Sequence, residues 1–136
     1  MLFRSAALAA FAVIRDAVVG FSPNNPLISE AIAVNIMAGI TGSASGGLSI
    51  ALNMLGKTYL ELGNSAGISP QLLHRVAAVA SGGLDSLPHN GAVITLLAIC
   101  NLTHRESYLD IFVVSVVVPL VALVVLLGLG TAFGAF

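Results

Sequence analysis

Asp85 and His89 stand four residues apart in SGGLDSLPHNG, residues 81–91, a polar and glycine-rich stretch between two apolar runs. An ionisable group inside an apolar segment is costly unless it is paired, solvated or used, so a role in moving a solute is the first reading. A carboxyl beside an imidazole suits proton coupling, because imidazole titrates near neutrality and burial disfavours a charged carboxylate. Asp85 and His89 are therefore the expected proton-coupling pair. Ser86 and Asn90 are placed to orient a substrate, and the N–H groups from Gly91 onward, at a restarting helix, suit its anionic end. The competing reading is that Asp85 only caps that helix and His89 lies in a wet loop.

A second cluster lies in TGSASGG, residues 41–47, where an uninterrupted helix would be at its most apolar. Thr41, Ser43 and Ser45 carry hydroxyls, with Ser49 beyond them, while Gly42, Gly46 and Gly47 free the backbone. A hydroxylated ligand exchanging water for these contacts would bind here. Small residues also let membrane helices approach closely, and packing is the bland alternative. Asn35 and Asn53 flank the cluster and suit either ligand contact or hydrogen bonds between helices.

Other chemistries find little support. Cys100 is a lone cysteine in an apolar stretch, so no disulfide or CxxC pair forms within the chain, and it reads as a small packing residue. His74, His89 and His104 lack short metal-ligand spacing and no HExxH occurs, so neither metal nor cofactor is expected. No GxSxG elbow accompanies the serines, and the chain is not read as an enzyme. The formal net charge is −1 with no basic cluster, which argues against nucleic acid as a partner. Lys57, Glu61 and Asp110 read as boundary charges.

These groups need elements to hold them, and composition says in which solvent. Of 136 residues, 57% are hydrophobic and 8% charged, against about 25% charged in ordinary soluble domains. A lipid bilayer is the expected environment, and crossing its hydrocarbon takes about 20 helical residues. The expected fold class is all-α, a single polytopic membrane domain over residues 1–136 with about four hydrophobic segments, two of them broken or re-entrant.

Residues 1–20 form an imperfect membrane or interfacial helix, interrupted by Arg15 and Asp16, with a signal peptide as the minority alternative. Residues 27–62 make a broken helix or hairpin. Residues 70–102 make a second broken helix, with Pro70 at its first turn behind a Ser69 cap. Thr103 and Glu106 have capping-box spacing ahead of the terminal transmembrane helix, 107–130, where Pro119 is a candidate kink. Ser-Gly-Gly-Leu recurs at Ser45 and Ser81, inside the two breaks, as a faint internal echo. Broken helices face protein or a wet cavity, and paired breaks of this kind mark substrate sites in secondary transporters. The spread of basic residues leaves orientation open.

NIMAGITGSASGGLSIAL, residues 35–52, and GISPQLLHRVAAVASGGLDSLPHNGAVITLLAICNLTHRESYLD, residues 67–110, resemble the C-terminal region of the gluconate:H+ symporter (GntP-type) family. The resemblance implies proton-coupled transport of gluconate or related small hydroxy-carboxylates through the bacterial inner (cytoplasmic) membrane. It also implies an ion-transporter-superfamily architecture of inverted repeats and re-entrant hairpins, commonly dimeric. Family chains are several times longer, so the expectation is an incomplete transporter: a fragment or truncated reading frame with Met1 at an internal position of the ancestral protein. Its partners would be the lipid bilayer, a small organic anion and H+, and either a missing N-terminal half or further copies of the chain. The alternative is a non-transporting membrane fragment or small structural partner.

Overall fold

The computed structural model describes residues 25–133 together with Val13, Asp16, Ala17 and Gly20. The expected N-terminal helix lies almost wholly outside the described residues. Five helices follow: α1 (Pro26–Thr41), α2 (Ala44–Ser65), α3 (Pro70–Ser81), α4 (Gly91–Ile99) and α5 (His104–Phe133). The described residues are all-helical, with no strand.

α1 begins where Asn25 Oδ1 accepts from the N–H groups of Leu27 and Ile28, ahead of Pro26, whose missing N–H costs nothing in a first turn. It is the central helix, covered by α2, α3 and the C-terminal half of α5. Burial on nearly every side explains why it is apolar all round, with Leu27, Ala31, Val34, Met37 and Ala38 in the core.

The chain then reverses through Gly42, which sits in the left-handed region at φ 59°, and Ser43, whose Oγ accepts from Gly46 N to start α2. Residues 27–62 thus fold as a hairpin of two packed helices. α2 buries Gly47, Ala51, Leu55, Tyr59 and Gly63, one residue every four, which is a single ridge laid along α1. A second reversal at Gly67, φ 71°, leads to Ser69, whose Oγ accepts from Leu72 N, and Pro70 at the start of α3. α3 turns Leu72, Leu73, Val76, Ala77 and Ala80 inward.

After Ser81 the chain runs irregularly to Asn90, and α4 restarts at Gly91. It ends at Ile99 rather than near Leu102, because Asn101 adopts φ 53°, a left-handed conformation that asparagine tolerates and that ends the helix. The Thr103–Glu106 spacing produces its cap, with Glu106 Oε2 accepting from Thr103 N at 2.9 Å and Oγ1 at 2.7 Å.

α5 is 30 residues long and, among the described residues, the one helix long and apolar enough to cross a membrane. At about 1.5 Å per residue, the 16 residues of α1 reach only about 24 Å, short of a hydrocarbon core of about 30 Å. Of the four hydrophobic segments anticipated, the described residues thus give one helix of spanning length and apolarity, the first segment lying outside them. α5 touches the core along one seam of seven-residue spacing, Val116, Leu123 and Gly130, while Val114, Val121 and Val124 are 57–68% exposed. Pro119 is accommodated by a π-helical turn at Val113–Val117: proline has no N–H for the Ser115 carbonyl, and Val118 N–H reaches back five residues to Val113 O.

Candidate functional site

The two breaks, distant in sequence, meet at the Thr41 end of α1. His89 Nε2–H donates to the Gly39 carbonyl at 2.9 Å, which leaves Nδ1 free of that bond. A Cβ at Gly42 would lie 3.2 Å from the His89 ring, and one at Gly39 would lie 3.2 Å from Leu84 Cβ. A Cβ at Gly83 would overlap Asn35 Oδ1 and crowd Leu120 of α5. The glycines at these positions therefore allow the 82–90 loop to lie directly on the end of α1.

Two side chains of α5 pin the far edge of the loop. Tyr108 Oη donates to Ser86 O at 3.3 Å, and His104 Nε2 bonds Pro88 O at 3.1 Å. Inside the loop, Ser86 Oγ donates to Asp85 Oδ1 at 3.2 Å, with both residues half-buried. His89 is exposed on the rim.

Most of the expected ligand-binding groups already have local work. Asn90 is buried: its Oδ1 accepts from Ala92 N and Val93 N, and its Nδ2 donates to Asp85 O. Asn90, not Asp85, is thus the cap of α4, and two of the N–H groups expected for an anion are occupied. Thr41 Oγ1 donates within its own turn, to Met37 O at 2.8 Å, and lies 3.1 Å from Ser43 O. Ser43 Oγ caps α2, and Ser45 Oγ lies 3.4 Å from it on the exposed side. Gly46 sits beside Ser43 in that first turn.

Gly47 is buried, and a Cβ there would overlap the Ala38 backbone, so its smallness serves helix packing. Gly91 opens α4 with nothing near its Cβ position. Asn35 is buried with Nδ2 donating to Ala31 O and Oδ1 lacking a partner, whereas Asn53 is exposed and bonds Ser49 O. Polar capacity is left around the junction at Asp85 Oδ2, since Oδ1 accepts from Ser86, at His89 Nδ1, at the buried Asn35 Oδ1, and at the Ser45 hydroxyl beyond its 3.4 Å contact with Ser43, while the Gly91 N–H opens α4. No group of three or more His, Cys, Asp or Glu residues able to hold a metal occurs among the described residues.

One chemistry-bearing residue lies outside the sequence-derived candidates. Glu30, in the second turn of α1, is 3% exposed and its Oε2 has no hydrogen-bond partner. The signal was present as an acid inside the apolar run LISEAIAV.

No protein-family model matches the chain, and no solved structure matches it either. The chain is 53% identical over 93 residues to the uncharacterized transporter YxjC of Bacillus subtilis (strain 168), a match covering 68% of this chain. The same match covers 20% of the relative, so the chain spans about a fifth of the length of the transporter it resembles.

Proposed function

We propose that this chain is part of a secondary transporter for small organic anions, gluconate or related hydroxy-carboxylates, coupled to protons and lying in the bacterial cytoplasmic membrane as a multi-pass protein. The observation that carries the reading is the meeting of the two helix breaks, joined by the bond from His89 to the Gly39 carbonyl. Unwound backbone of this kind is tolerated at membrane depth where it is buried in protein or lines a wet cavity. Paired breaks bring together the N–H ends and carbonyl ends that carriers use to hold an anion and its coupling ion.

The similarity to a transporter and the uncovered apolar surface of α5 support the membrane setting. In this reading Asp85 and His89 carry the coupling proton. Ser45, Ser86 and the N–H of Gly91 meet the carboxylate and hydroxyls of the substrate. Thr41, Gly42, Ser43, Gly46, Gly47 and Asn90 shape the two turns that present them.

A second reading, a membrane segment that does not itself transport, is favoured by the extent to which Thr41, Ser43 and Asn90 are engaged in capping. Vesicle uptake separates the two. The chain is reconstituted alone or together with the Bacillus relative lacking its matched segment, and uptake of labelled gluconate is driven by a pH gradient. Gradient-dependent uptake that Asp85→Asn abolishes is expected; no uptake in either arrangement establishes the second reading.

A further inference from the structure

Glu30 lies at the other end of α1 from the break junction, about 14 Å away at 1.5 Å of rise for each of the nine residues to Gly39. Glu30 is among the residues lining a cavity of about 150 Å³ between α1, α2 and α3, shared with Tyr59 and Gly56 of α2 and with Leu73 and His74 of α3. Each water occupies only about 30 Å³ of liquid volume, so several fit. His74 is exposed and marks the mouth, whereas Glu30 and Tyr59 are both 3% exposed.

An ionised carboxylate without a partner in such a place is strongly disfavoured, so a group of this kind binds something or takes up a proton. The lining decides which. A metal cation needs a shell of several oxygens, but this cavity is mostly apolar. Its hydroxyl, Tyr59 Oη, is already bonded to Ser29 Oγ at 2.9 Å. A proton needs one oxygen with an open lone pair, and Glu30 Oε2, which has no hydrogen-bond partner and is closed off from solvent, is that oxygen, with the cavity beside it as the supply of water.

Among the described residues, the other charged groups on the helices packed around it do not pair with Glu30. Lys57 and Glu61 on α2 pair with each other at 3.9 Å in the open, Arg75 is exposed on α3, and the part of α5 that packs on α1, Val118–Phe133, has no ionisable side chain. We propose that Glu30, Tyr59 and His74 form a proton-binding site distinct from the break junction. The Glu30 carboxyl takes its proton from water in the cavity and returns it by the same route past His74. As a second proton site of a transporter, beside Asp85 and His89, this rests on the function proposed above; as a proton site it does not.

An apolar carbodiimide tests the proposal, because it adds to a carboxyl in its protonated form within an apolar setting. The purified chain in lipid nanodiscs is treated across neutral to alkaline pH, and adducts are located by peptide mass spectrometry. Glu30 should be the principal site, with its rate falling about tenfold per pH unit once the carboxyl ionises. Glu30→Gln should lose the adduct while keeping its helical circular dichroism. If that variant does not fold, the pH profile of the unaltered chain decides alone.

An unmodified Glu30 in folded protein, or a rate indifferent to pH, overturns the proposal. So does protection by sodium at fixed pH and ionic strength, which would make the site one for a metal cation. Uptake without labelling removes this site and leaves the transporter reading; labelling without uptake does the reverse.

Discussion

At the Thr41 end of α1 the chain leaves its helix and meets a second irregular segment, yet most of the turn and cap groups released there find a partner in the protein: Thr41 in its own turn, Asn90 across the start of α4, His89 on Gly39. At the Pro26 end the helix is regular and its cap complete, yet a carboxyl oxygen is left without a partner beside a cavity. Broken backbone is therefore a poor guide to where polar capacity is spare. Caps and turns exist to absorb the groups that a break exposes, whereas an acid on an intact buried helix has no local backbone donor to turn to.

The strongest way to break the comparison is to remove the contact that lets the hairpin close. Gly47→Val would drive a branched side chain into the Ala38 backbone, where no rotamer relieves the overlap. We expect a loss of about 3 kcal/mol or more, at the upper end for overpacking, read as a shifted midpoint in mixed-micelle unfolding. The junction with His89 should loosen with it, because Gly39 and Gly42 lie on the same stretch. A midpoint unchanged from the parent would mean that α1 and α2 do not meet at Gly47.

Next in size is the cap of α4. Asn90→Ala removes the acceptor for Ala92 N and Val93 N and the donor to Asp85 O together. Cap losses cost about 1 to 2 kcal/mol, and α4 has little else to hold it, with only Val93 and Leu97 buried. Amide exchange in residues 91–99 should quicken while exchange in α1 stays slow. Equal acceleration in both helices would show that the loop and the core open as one unit.

What could be read from the sequence divides along the same line. Ser69 before Pro70, the spacing of Thr103 to Glu106 and the glycines at 42 and 82–83 are local signals, and each fixes a turn or a cap using residues within a few positions. The meeting of the two breaks is a different kind of fact: Gly39 and His89 are fifty residues apart, and no periodicity in either segment encodes their bond. The π turn before Pro119 was partly legible, since proline demands some relief, although widening by one residue is as good a solution as a kink.

Glu30 escaped because its burial is a property of the assembly. In isolation an acid one turn inside a helix start resembles an ordinary N-terminal charge favoured by the helix dipole. It becomes a buried group only when α2 and α3 close over that end of α1.

The smallest expected effect has the opposite sign and sharpens the comparison most. Glu30→Met keeps the length of the side chain and removes the oxygen that has no partner, so the fold loses a desolvation cost and gives up no bond from Oε2. Replacing a buried polar group in that position by an apolar one of similar shape is neutral to stabilising, and we expect a gain of about 1 kcal/mol in the same unfolding assay. A similar replacement at Asn90 is expected to do the reverse, because there every polar atom is in use. If Glu30→Met instead destabilises the chain as much as the Asn90 change, the carboxyl has a partner in the membrane that fills its open lone pair. The contrast between the two ends of α1 would then be lost.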